Sequence, residues 1–137
     1  MRLYLEQEII IDMTAKTILI IASILGALSV AIGAFGAHGL DATLQANGRV
    51  DTFETAVKYQ FYHTLALFLL GLLMLNINSS QLTIAAYCFI IGIAIFSGSL
   101  YILCLTSIKW LGAITPIGGL AFILGWIFLA LGVYKHL

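Results

Sequence analysis

Four apolar stretches, each near the length of a bilayer crossing, leave this chain few folds to adopt. They run from about Thr17 to Ala37, Ala56 to Ile77, Leu82 to Thr106 and Leu111 to Tyr134. A hydrocarbon core about 30 Å thick takes roughly 20 helical residues to cross. Strands of a membrane barrel would alternate polar and apolar side chains, which none of the four does. Backbone amides in lipid must also be paired internally. The expectation is an all-α integral membrane four-helix bundle, with short loops and one longer connector between helices 1 and 2.

Composition closes the other routes. Hydrophobic residues make up 62% of the chain and charged ones 9%, against about 45–50% and about 25% in soluble domains. A water-soluble enzyme and a disordered chain are both excluded. Zero net charge with six Lys+Arg gives no basic face for phosphates, so no nucleic-acid partner is expected. The lipid bilayer is the partner the composition demands.

Residues 1–12 hold acids at Glu6, Glu8 and Asp12 and fit poorly with the span that follows. They read as an N-terminal extension, with Met13 the more natural start of a single four-span domain over residues 13–137. With four spans the termini share one side, which holds Arg2, Lys16 and Lys135. Arg49, Lys58 and Lys109 lie on the other. The positive-inside rule is a tie.

Small residues recur at intervals of two helical turns. Gly26 and Gly33 do so in span one, Ala85, Gly92 and Ser99 in span three, and Gly118, Gly125 and Gly132 in span four. Such stripes let helix backbones approach closely. Span two lacks one, so it is expected to pack at the periphery or against a second copy. This is the ground for expecting a homo-oligomer.

Polar side chains collect at one membrane face. The end of span one, the start of span two, the later half of span three and the start of span four contribute His38, Glu54, Lys58, Tyr59, Gln60, His63, Ser97, Ser99, Tyr101 and Thr115. These ten are the candidate ligand-binding residues, joined at the interface by Asp41, Thr106, Lys109 and Trp110. Asp51-Thr52-Phe53-Glu54 has the form of a capping box, and Thr115-Pro116 that of an N-cap with proline at the first helical position. Glu54–Lys58 and Tyr59–His63 are i,i+4 pairs. His63 lies deep enough that its ring needs a partner or a watery cavity. Two readings of it compete: a neutral imidazole bonded to backbone or a tyrosine hydroxyl, and a proton or ligand contact in which His38 meets it from span one. No spacing supports a metal set, and no P-loop, dinucleotide fingerprint, HExxH or nucleophile elbow occurs. No cofactor and no metal are expected. Cys88 and Cys104 lie about 24 Å apart on one helix, too far for a mutual disulfide.

Four blocks carry a resemblance: Gly33-Ala34-Phe35-Gly36-Ala37-His38-Gly39-Leu40; Phe53-Glu54-Thr55-Ala56-Val57-Lys58-Tyr59-Gln60 with His63; Phe96-Ser97-Gly98-Ser99-Leu100-Tyr101; and Leu111-Gly112-Ala113-Ile114-Thr115-Pro116-Ile117-Gly118-Gly119. In that order they resemble the YgdD-like small bacterial inner-membrane proteins, domain of unknown function 423. The resemblance runs from Met13 to the C-terminus. It implies a four-helix protein of the bacterial cytoplasmic membrane with both termini inside, and it implies no activity. The uncharged turn Asn76–Gln81, often basic in relatives, departs from the pattern.

Three functions fit these features. A binding, accessory or assembly protein would use the one-sided polar face for a lipid, small molecule or membrane-protein partner, and it is the reading preferred. A small-solute or proton-coupled transporter is the alternative, although no span carries a charge in its central portion. An intramembrane enzyme using His63 or His38 fits least, for want of an activated nucleophile. Flux in liposomes, a co-purifying ligand and an accumulating lipid-soluble substrate would tell the three apart.

Overall fold

The computed structural model describes residues 13–137; the expected extension over residues 1–12 lies outside them. The chain enters its first helix, α1 (Ala15–His38), through Thr14, whose hydroxyl accepts the Thr17 amide at 3.2 Å. A six-residue helix, α2 (Asp41–Ala46), forms the longer connector. It closes on Gly48, where φ is +63°, a backbone state that glycine enters without steric cost. The Arg49 amide then reaches back to the Leu44 carbonyl at 2.8 Å. Three more long helices follow: α3 (Val50–Met74), α4 (Ser80–Thr106) and α5 (Thr115–His136). A 3-10 turn over Lys109–Ala113 precedes α5, and a π turn over Ile93–Ser97 interrupts α4.

All four long helices are long and apolar enough to cross a membrane. The chain is an integral membrane protein of all-α class. Their outward faces carry large apolar side chains such as Ile24, Val30, Leu69, Ile102 and Ile123, as lipid requires of a span's exterior.

The caps differ from expectation in two places. The helix of the second span runs from Val50 to Met74, starting ahead of the apolar run as the Asp51 segment suggests. Asp51 is therefore inside the first turn, Arg49 occupies the cap, and no side chain caps the helix. The expected capping box does not form; the Asp51 carboxylate instead favours the helix through its dipole. In α5, Thr115 is already helical and Ile114 takes the cap. The Thr115 hydroxyl turns away to Ser99 Oγ at 2.7 Å and the Leu111 carbonyl at 3.3 Å. A buried hydroxyl partner outcompetes the helix amides.

Two antiparallel seams build the bundle. Along α1 and α3, Phe53 lies over Gly36, Val57 over Gly33, and Leu19 over Gly71. Along α4 and α5, Leu82 lies over Gly132, Phe89 over Gly125, Phe122 over Gly92, and the Phe96 backbone over Gly118. Each step up one helix matches a step down its partner, so both seams hold one register throughout. Gly26 is different, since a Cβ there would lie 3.7 Å from Thr64 Cγ2, an ordinary contact.

The α3–α4 contact joins the two pairs. Burial ranks the helices: α3 and α4 are the most enclosed, α1 and α5 the least. The expectation of a peripheral second span is thus overturned. It lacks a glycine stripe because it supplies the side chains that fill the stripe of α1. The main core, with Ile18, Leu67, Leu70, Leu82, Ala85 and Phe89, lies at the end away from α2. Smaller clusters around Phe53 and Leu103 fill the α2 end.

Candidate functional site

The candidate residues separate into an interior set and a surface set. In the interior, Tyr101 on α4 donates its hydroxyl to Gln60 Oε1 at 2.6 Å, and Gln60 Nε2 donates to the Leu25 carbonyl of α1 at 3.3 Å. That chain ties three helices together. Ser97 donates to the Ala56 carbonyl at 2.7 Å, while Ser99 meets Thr115 at the start of α5. Such bonds act as glue between membrane helices.

His63 closes the same interior. Its Nδ1 lies 2.8 Å from the Tyr59 carbonyl, and Trp126 Nε1 donates to its Nε2 at 3.3 Å. An indole nitrogen can only donate, so Nε2 accepts and the proton resides on Nδ1. The ring is a neutral imidazole with both nitrogens engaged. Phe122 stacks on it with centroids 3.5 Å apart, and Phe89 and Trp126 lie against it. Tyr59 stacks on Phe96 at 4.7 Å and stays half exposed. His38, at the end of α1, is exposed and takes no part in this cluster. The two histidines are not brought together. Among the described residues no group of three metal-ligating side chains occurs.

Glu54 and Lys58 belong to the surface set. They pair loosely at 3.9 Å with both side chains about 60% exposed, a geometry that contributes little to stability. They rim a recess of about 390 Å³ between the end of α1, α2 and the first turns of α3. Its floor is Gly33, Gly36 and Ala37, its walls are Leu44, Val50, Phe53 and Val57, and Asp41 completes the charged rim. A second recess, about 310 Å³, shares Gly33, Val57 and Lys58 with the first and continues past Ser29 and Val30 to Phe61 and Tyr62. Together they form one groove, charged at the α2 end and apolar beyond.

The family model described as protein of unknown function, DUF423, matches residues 32–119. The chain belongs to this family. The chain is similar to the UPF0382 membrane protein SH2409 of Staphylococcus haemolyticus, 44% identical over 120 residues, or 88% of this chain and 97% of the relative. The UPF0382 membrane protein YwdK of Bacillus subtilis is 42% identical over 123 residues, 89% of this chain and 99% of the relative. The UPF0382 inner membrane protein YgdD of Escherichia coli is 37% identical, covering 90% and 93%. No solved structure matches the chain.

The DUF423 match takes in most of the groove and of the interior bonds, but starts after Leu25, Ser29 and Val30 and stops before Trp126. Trp126 and Phe122 escaped the sequence reading as partners of His63. A tryptophan inside a span needs an acceptor for its N–H, which was the available signal. Gly36 and Phe53 also went unassigned as groove residues, although both stand inside the resemblance blocks. Asn47 was missed too: its amide donates to the Cys104 carbonyl at 2.9 Å and pins the connector to α4.

Proposed function

We propose that this membrane protein binds an amphiphile in the groove between α1 and α3, acting as a binding or accessory protein of the bacterial inner membrane. One observation carries the reading: a recess of about 390 Å³ lined by Asp41, Glu54 and Lys58 adjoins, through Gly33, Val57 and Lys58, an apolar recess of about 310 Å³. A molecule with a polar head and an apolar tail matches that division of surface. The interior residues support the site by holding α3 in place. Gln60, Tyr101 and Ser97 bond one another or backbone across helices, and His63 has both nitrogens occupied.

Native mass spectrometry of protein released from nanodiscs of bacterial lipid extract tests this. Wild type is expected to carry a bound species of lipid mass. Ala37→Trp, which fills the recess from an exposed lining position, is expected to lose it while its thermal midpoint holds. Bare wild-type protein, or equal retention by the variant, would overturn the reading.

A further inference from the structure

The groove's charges specify a headgroup class. Asp41 and Glu54 supply two carboxylates at the mouth and Lys58 one ammonium, so the rim carries one excess negative charge. Among the described residues the one ion pair is Lys58–Glu54, at 3.9 Å. It is long and solvated, and so open to exchange for a ligand's own charges. Asp41 accepts only the Gln45 amide, at 2.9 Å on Oδ2, from the described residues. Carboxylates in such a setting seek donors with charge, because charge-assisted hydrogen bonds are about twice as strong as neutral ones.

We infer that the groove takes an amphiphile whose headgroup bears a primary ammonium beside an anionic group, the chemistry of an aminophospholipid. The ammonium meets Asp41 and Glu54, and the anionic group meets Lys58. The chain lies in the trough floored by Gly33 and bounded by Val30, Phe61 and Tyr62. A quaternary ammonium would call for aromatic faces around it. The one aromatic side chain lining the charged recess, Phe53, is spent: it is buried over Gly36 and tilted against Tyr101 at 5.3 Å. An anionic head without an amine would meet one ammonium against two carboxylates. This inference rests on the amphiphile reading and narrows it.

The test separates the two. Full-length protein is placed in nanodiscs with equal parts palmitoyl-oleoyl phosphatidylethanolamine, phosphatidylglycerol and phosphatidylcholine, and the retained lipid is read by native mass spectrometry. Wild type is expected to keep one phosphatidylethanolamine with about tenfold preference over each of the others, equivalent to about 1.4 kcal/mol. Asp41→Asn with Glu54→Gln, both surface changes, is expected to level the three lipids without loss of total retention. Val30→Trp, from an exposed position, is expected to remove all three. If wild type retains the three lipids equally and Val30→Trp removes them, the headgroup inference falls and the amphiphile reading stands. If wild type retains nothing, or Val30→Trp changes nothing, both fall.

Discussion

At the scale of single residues, the bundle turns on where a side chain is missing. A Cβ on Gly118 would stand 2.4 Å from the Phe96 backbone nitrogen, and backbone cannot move aside as a side-chain tip can. At Gly98, on the neighbouring helix, a Cβ would meet nothing within 4 Å. Gly118→Ala is therefore expected to destabilise by about 1–3 kcal/mol, the usual cost of overpacking. Gly98→Ala is expected to be neutral or to gain up to about 1 kcal/mol of helix propensity. Unfolding in dodecyl sulfate followed by circular dichroism checks both, and equal midpoints would contradict this packing. Spacing alone made Gly118, Gly125 and Gly132 legible, because a stripe of period seven survives in the sequence whatever it packs on. What covers each one is tertiary information: Phe96, Phe89 and Leu82 are ordinary apolar residues until the register is known. His63 shows the same division. Its need for a partner was legible from its depth, but Trp126, sixty-three positions away, was not.

Among the elements, hydropathy is a signal about contact with lipid, so it located all four spans. It was a poor guide to the order of burial. The least apolar of the four spans, α3, is nonetheless among the two most enclosed. An enclosed membrane helix can hold polar side chains such as Gln60, His63 and Thr64 because neighbours rather than lipid surround them. An outer helix has less room for them: between Lys16 and His38, α1 is uncharged, and Ser23 and Ser29 return their hydroxyls to the Leu19 and Leu25 carbonyls of their own helix. Its packing is one long seam against α3 with a short contact to α2, and a recess of about 450 Å³ lies between its later half and Tyr101 and Leu105 of α4. Elements with fewer packed partners open at lower free energy. In a background with Cys88 and Cys104 replaced by alanine, Ser29→Cys on α1 and Ser97→Cys on α4 both place a thiol at a fully buried site. As dodecyl sulfate is raised, Ser29→Cys is expected to react with maleimide at a lower mole fraction than Ser97→Cys. Simultaneous labelling would mean that the four helices separate as one unit.

For the whole molecule, four crossings put Lys16 and Lys135 at one end of the bundle and the connector with Asp41 and Arg49, together with Lys109, at the other. The groove mouth opens at that second end. Its position decides which leaflet supplies the ligand, and charge counting leaves this open because the basic residues balance. The resemblance implies termini in the cytoplasm, so the mouth is expected to face the outer leaflet. A green fluorescent protein fused after Leu137 should then glow, and alkaline phosphatase at the same point should be inactive. The balance also makes the topology easy to perturb. Thr43→Lys with Gln45→Lys adds two charges to α2, on the side expected to be outside, and should lower the fluorescence as part of the population inserts inverted. Adding Asn78→Lys and Ser80→Lys, in the uncharged turn on the side of the termini, should restore it. Phosphatase activity without fluorescence in the wild-type fusions would reverse the orientation, and the groove would then draw its amphiphile from the inner leaflet.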